Sequence, residues 1–160
     1  MKRSGFSLVE LVTVMAIIGT LLTIGTLSFN TISIKYAIES QTRGIYTDLM
    51  DIRLKSLYKK KSHFIKLSET AFICYSSGTR SIPNGVLLTK SLAYPITWNG
   101  TNTDLIEFDS RGLTTDQRSI CVTRNETAPQ IDCIVISMSR QNMGKRKAGR
   151  DCDADYITIK

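Results

Sequence analysis

The chain has 160 residues, 42% hydrophobic content, four cysteines and a formal net charge of +7, enough for one modest domain and one membrane segment. A large share of the apolar residues falls in the first thirty positions, so the remainder forms a small, polar, thinly cored domain of the kind that often needs covalent support. The inventory also argues against an enzyme. There is a single histidine, His63, no C-x-x-C pair, no G-x-S-x-G elbow and no phosphate-binding loop. Asp151, Asp153 and Asp155 alternate near the end but lack the glycine and distal glutamate of an EF-hand calcium loop. No metal and no cofactor is expected.

Glu10 is the one charge between Phe6 and Phe29. The uncharged run from 11 to 29 is 19 residues, about 28 Å as a helix and close to the thickness of a bilayer's hydrocarbon core. Lys2 and Arg3 precede it, an arrangement that keeps the N-terminus in the cytoplasm and sends the rest across. A secretory signal peptide begins the same way. Here, however, the apolar run is too long and no small-residue cleavage site follows it. A plain signal anchor leaves Glu10 without a reason, since a carboxylate near lipid costs on the order of several kcal/mol unless paired.

The segment Lys2-Arg3-Ser4-Gly5-Phe6-Ser7-Leu8-Val9-Glu10-Leu11-Val12 resembles the class III leader of type IV prepilins and type II secretion pseudopilins. The resemblance implies that residues 1–5 are a leader, that a membrane prepilin peptidase cuts between Gly5 and Phe6, and that Phe6 is then N-methylated. It also implies that Glu10 pairs with the N-terminal amine of a neighbouring subunit during assembly. Burial of Glu10 in a helical bundle is tolerable only with such a cation, and losing it leaves an unpaired buried charge costing roughly 3–5 kcal/mol. Major pilins carry a proline in this helix, whereas the first proline here is Pro83. Gly19 and Gly25 are the local weak points, each roughly 1 kcal/mol worse than alanine.

Residues 6–29 are therefore read as a membrane-spanning, filament-core helix, with 30–61 as its amphipathic continuation in one rod of roughly 80 Å. Ile45, Leu49 and Ile52 recur on one face, with Thr47, Asp48, Asp51 and Lys55 on another, as an amphipathic helix requires. Asp51 and Lys55 form a stabilising i,i+4 pair, and Gly44 is the place for a bend. Beyond Ser62 the pattern turns to short strands, expected at 63–67, 71–75, 85–88, 105–109, 119–124, 131–138 and 156–159. Turns are expected at 76–78, 83–85, 98–100 and 110–112. The strongest hairpin joins 119–124 to 131–138 through a loop containing Pro129. The expected fold is α+β, a long N-terminal helix packed on an antiparallel β-sheet head spanning 62–160.

Phe72-Ile73-Cys74-Tyr75-Ser76-Ser77-Gly78, Phe108-Asp109-Ser110-Arg111-Gly112-Leu113 and Ile134-Val135-Ile136-Ser137, followed by a basic tail ending in Cys152, resemble in that order the GspH/FimT-type minor pilins and pseudopilins. Cys74, Cys121, Cys133 and Cys152 all follow the apolar segment, which points to two disulfides in an oxidising compartment. Spacing alone leaves all three connectivities open. The pairing expected beside the resemblance is Cys121–Cys152 with Cys74–Cys133, although Cys133 inside the late strand departs from the subfamily's usual pattern.

Two basic stretches carry the positive surplus, six Lys/Arg from Arg53 to Lys66 and five from Arg140 to Arg150, neither with an acid. Such patches attract anionic partners, although most basic runs are solvated faces. Some FimT-type subunits bind DNA through a Gly-Arg-x-Arg motif in the tail. Gly144-Lys145-Arg146-Lys147 is similar, with lysine where that motif has arginine, which keeps phosphate attraction and loses bidentate geometry. Arg140, Lys145, Arg146, Lys147 and Arg150, in a loop made flexible by Gly144 and Gly149, are the candidate contacts to double-stranded DNA, without sequence preference.

The reading is a minor pilin, a structural subunit that initiates or caps a type IV pilus, with DNA uptake through its tail. The alternative is a GspH-type pseudopilin of a type II secretion system. Expected partners are other pilin or pseudopilin subunits, the prepilin peptidase and the bacterial inner membrane, crossed once with the head in the periplasm before the subunit enters a filament.

Overall fold

The computed structural model describes residues 7–80, 82–100, 104–123 and 129–160, the side chains of 24–28 excepted. Helix α1 runs Leu8–Lys59, 52 residues. The Ser7 carbonyl opens it by accepting from the backbone N–H groups of Glu10 and Leu11 at 3.1 and 3.2 Å. Helical structure continues through Gly19 and Gly44. It ends where Lys60 adopts a left-handed φ of 53° and the Lys61 N–H returns to the Ser56 carbonyl at 3.3 Å, a left-handed helix stop. Lys59 in the last turn complements the negative end of the helix dipole.

The chain forms two compact units, Met1–Ile34 and Lys35–Lys160. In the first, Leu8, Val9, Leu11, Val12, Val14, Met15, Ile17, Ile18, Leu21 and Leu22 are each at least 45% exposed. They lie all round the helix. Three of its threonine hydroxyls are satisfied within the helix: Thr13 donates to the Val9 carbonyl at 2.7 Å, Thr20 to Ile17 at 2.8 Å and Thr23 to Gly19 at 2.9 Å. Among the described residues no helix is long and apolar enough to cross a membrane; residues 24–28, whose side chains fall outside the description, interrupt the run read as a span.

In the second unit α1 is amphipathic. Ile38, Thr42, Ile45, Leu49, Ile52 and Ser56 are at most 2% exposed, an alternating four-three repeat that keeps one stripe facing inward. Thr42 and Ser56 are tolerated there because their hydroxyls donate to the Ile38 and Ile52 carbonyls at 2.9 and 3.0 Å, leaving no buried donor unmade. The other faces of the helix fasten the head. Gln41 holds the Tyr94 backbone from both sides, at 2.7 and 2.9 Å, and Asp48 accepts from Lys90 at 2.8 Å.

The head has two antiparallel sheets rather than one. The first, ordered β3-β2-β1-β5, uses β1 (His63–Ser68), β2 (Ala71–Gly78), β3 (Pro83–Ser91) and β5 (Leu105–Phe108). The second, ordered β4-β6-β7-β8-β9, uses β4 (Ile96–Trp98), β6 (Arg118–Val122), β7 (Cys133–Ile136), β8 (Gln141–Arg146) and β9 (Ile157–Ile159). The β6–β7 hairpin has the expected partners, with Cys121 opposite Cys133. Strands β4 and β8 were not expected. The turns expected at 76–78 and 83–85 instead extend β2 and β3, where Ser77 pairs with Asn84. The reversal falls between Thr79 and Ile82, which exchange backbone bonds at 3.1 and 3.0 Å.

Ile65, Phe72, Ile106 and Phe108 of the first sheet and Ile96, Ile120, Ile134 and Ile136 of the second are at most 2% exposed. Burial of each contributes about 1.5–3 kcal/mol. The turn after β5 forms as its sequence dictates. The Asp109 carboxylate accepts from the backbone N–H groups of Arg111 and Leu113, both at 2.8 Å. Gly112 takes a φ of +69°, and its carbonyl accepts from Arg53 Nε of α1 at 2.8 Å.

Candidate functional site

Three groups of residues carry the functional expectations, and the fold treats each differently. Gly5 and Phe6, the cleavage and methylation pair, lie outside the described residues. Glu10 lies in the first turn of α1, exposed. There the positive end of the helix dipole favours a carboxylate.

Of the two expected cysteine pairings, Cys121–Cys152 is formed and Cys74–Cys133 is not. Cys74 is a free, fully buried thiol on β2 of the first sheet. The Cys74–Cys133 bridge is therefore corrected: Cys133 belongs to the second sheet, opposite Cys121. Burial, reinforced by Asp48, pushes the Cys74 thiol up to about 12. Cys121, Cys133 and Cys152 instead converge, their sulfurs all within 4.8 Å of one another. Cys121 is within bonding reach of Cys152, at a Cα separation of 5.8 Å, and also of Cys133, at 4.1 Å. Val135 and Ile157 complete a small apolar cluster around them. These three sulfurs are also the group that could hold a soft metal ion. Sequence spacing could not reveal them, because β6, β7 and the loop at 152 meet only through sheet pairing.

The basic tail is not a flexible loop. Lys145 and Arg146 belong to β8, paired on both sides by β7 and β9. Strand alternation sends their side chains to opposite faces. A Cβ on Gly144 would meet the side chain of Ile157 and lie 2.9 Å from the Thr158 carbonyl oxygen, so this glycine lets β9 approach and is not a hinge. The Arg146 N–H donates to Asp132 at 2.8 Å. Burial raises the Asp132 carboxyl above its ordinary range, against the pull of the Arg146 backbone bond and of the Arg146 and Lys145 charges. Beyond β8, the Lys147 N–H bonds the Tyr156 carbonyl at 2.9 Å and closes a loop. Gly149 has a φ of +69° there. Arg150 lies over the Tyr156 ring at 5.1 Å, within cation–π range. Arg140, Lys147 and Arg150 are exposed, and so are Asp151 and Asp155. Asp151 directly follows Arg150 in the chain and reduces the field beside it.

A cavity of about 350 Å³ opens beside the cysteine cluster, lined by Thr97, Trp98, Asn99, Thr123, Arg146, Asp151, Cys152 and Asp153. Nothing in the sequence marks it, since its walls come from β4, β8 and the closing loop.

Residues 1–26 match the family model of the prokaryotic N-terminal methylation motif. No curated relative matches the chain. Among solved structures, the type IV minor pilin FimU of Pseudomonas aeruginosa strain PAO1 superposes with a TM-score of 0.56 at 13% sequence identity, over 76% of this chain and 98% of that one. At that identity the likeness concerns the fold. The chain thus carries the N-terminal methylation motif and shares the fold of that minor pilin.

Proposed function

We propose that the chain is a minor pilin, a structural subunit that is cut after Gly5, methylated on Phe6 and assembled into a type IV pilus through its N-terminal helix. The observation that carries this reading is a helix apolar on every side from Leu8 to Leu22, with Glu10 as its one charge. Water penalises such a surface, whereas a bilayer and then a bundle of identical helices accept it. The internally bonded threonines suit the same surroundings. The subunit crosses the inner membrane once, with its head in the periplasm, until a neighbour's N-terminal ammonium neutralises Glu10.

Two variants test this. Gly5→Val adds a side chain at the cleavage position and should leave the precursor uncut; normal loss of five residues by intact mass contradicts the reading. Glu10→Ala should be inserted and cut but excluded from sheared filaments, and wild-type amounts in that fraction would refute the pairing.

A finer reading adds sequence-independent binding of double-stranded DNA for uptake, supported by the exposed Arg140, Lys147 and Arg150 and opposed by the neighbouring carboxylates. A GspH-type pseudopilin of a type II secretion system would share the same N-terminal mechanics. Membership of a retractile pilus or of a secretion complex, read by co-purification, separates the two.

A further inference from the structure

We propose that Cys121 is the shared sulfur of two alternative disulfides, with Cys152 in the major form and with Cys133 in the minor one, and that the two interconvert by intramolecular thiol–disulfide exchange. Valence sets the first constraint. All three sulfurs lie within 4.8 Å of one another and Cys121 reaches both partners, yet one sulfur forms one disulfide. The third cysteine is therefore a thiol held against the bond.

Each pairing has its own support. The Cα separation of 5.8 Å for Cys121 and Cys152 is the separation disulfides favour. The 4.1 Å for Cys121 and Cys133 falls just under their usual span of about 4.4–6.8 Å. That ordering makes the first pairing the major form. In the second, the freed Cys152 thiol has an acceptor within reach, its sulfur lying 3.6 Å from the Thr97 carbonyl oxygen.

The exchange needs no outside oxidant. The Cys133 sulfur, as thiolate, attacks the Cys121 sulfur. The bond to Cys152 breaks, its electron pair stays on the Cys152 sulfur, and Cys152 takes up the proton that Cys133 lost. Two consequences follow. The closing loop at 147–156 is tied to β6 in the major form and released from it in the minor one. Cys121 and Cys133 are fully sealed, whereas Cys152 lines the cavity of about 350 Å³. The minor form therefore presents a thiol to small thiols, disulfides or electrophiles, and the major form hides it.

The test uses the full chain purified in detergent without reductant. Free thiols are blocked with N-ethylmaleimide in denaturant, and the unreduced chain is cut with trypsin. Arg118, Arg124, Arg140 and Arg150 place the three cysteines on separate peptides. Mass spectrometry should find the Cys121 peptide joined mostly to that of Cys152 and in a minority to that of Cys133. A second sample is incubated natively with iodoacetamide before denaturation. It should carry the label on Cys152, and the Cys121–Cys133 link should accumulate with time, because labelled Cys152 cannot return. Cys152→Ser should convert all chains to the Cys121–Cys133 link. Finding one link alone at every incubation time overturns the proposal. So does blocking of all three thiols, the result a metal-binding thiolate cluster would give. The wild-type measurements decide even where the variant fails to fold.

Discussion

Ser56 Oγ lies 3.0 Å from His63 Nδ1 across the turn that ends α1, with neither side chain exposed to solvent. Ser56 spends its own proton on the Ile52 carbonyl, so Nδ1 must carry the hydrogen, which the Lys61 carbonyl at 3.1 Å also accepts. Nε2 is buried without a partner. Protonating the ring would put a donor there that nothing receives, and burial lowers the His63 pKa, with Lys59 and Lys55 adding to the effect and the Lys61 bond opposing it.

The lowered pKa sets a pH dependence with a definite sign. The unfolded chain takes up the proton near pH 6.5 while the folded chain still resists. Stability should be level above about pH 6.5 and fall as pH drops from there through the folded-state pKa. Melting temperatures between pH 8 and 5 should show that decline in the wild type and a flatter profile in His63→Asn, which keeps a donor in place of Nδ1. Parallel profiles would remove His63 as the cause.

Cys74 changes the thiol count. One disulfide among the other three cysteines leaves two thiols per chain, where the sequence reading expected none. Unfolded without reductant, the protein should titrate two thiols, and native Cys74 should be inert at neutral pH because a thiol near 12 forms almost no thiolate. The Cys121–Cys152 bridge, spanning 31 residues, contributes roughly 3–4 kcal/mol by constraining the unfolded chain. Reduction should lower the denaturation midpoint accordingly. A count of zero or four would contradict the single bridge.

The parts legible in the sequence are those whose signal is local. Periodicity in α1, the alternation of Phe72 and Cys74 in β2, and the turn at Asp109 to Gly112 each advertise their structure within a few residues. Strand β8, Gln141–Arg146, reads as polar and charged with one methionine, and its place is set by backbone pairing to both neighbours. The three-residue β4 is too short for a pattern. The cysteine cluster was missed for a related reason, because two sheets divide the cysteines in a way no linear spacing records.

Gly144 tests that account of β8. Gly144→Ala should push β9 off the sheet edge, since the new methyl would press on the Thr158 carbonyl and the Ile157 side chain. A cost of about 1–3 kcal/mol is expected, read as a lower melting temperature. A flexible-loop role predicts no loss.

Asp116 organises the buried charge. It is 9% exposed and accepts from Arg80 Nη1 at 3.1 Å and from the Glu107 N–H at 2.9 Å, with Arg118 Nη2 at 4.0 Å. Burial lowers the pKa of Arg118, and the Asp116 charge counters that shift. Asp116→Ala should destabilise by about 3 kcal/mol, the low end for a broken buried pair, because the Arg80 side chain is 41% exposed. Asp116→Asn, which keeps an acceptor without the charge, should cost less. Equal losses would assign the effect to the charge alone.

The DNA reading makes the most discriminating prediction, because the structure reduces the number of available contacts. Lys145 and Arg146 face opposite sides of β8, so a duplex lying on one surface meets at most one of them together with Arg140, Lys147 and Arg150. Each phosphate neutralised contributes about 0.9 to the slope of log K against log salt, so four contacts give a slope near about −3.6. Duplexes of unrelated sequence should bind the full chain alike, since nothing in the loop is built to read base edges. Changing Arg140, Lys147 and Arg150 together to Gln should flatten the slope by up to about 2.7. These side chains are exposed, so the melting temperature should hardly change. Asp151→Asn with Asp155→Asn should act in the opposite sense and tighten binding, because the carboxylates beside the cations repel the same phosphates. An unchanged slope in the triple variant would move the site elsewhere, with Lys59, Lys60 and Lys61 at the end of α1 as the next cluster to change. Absence of binding by the wild type at low salt would leave the filament role without a nucleic-acid function.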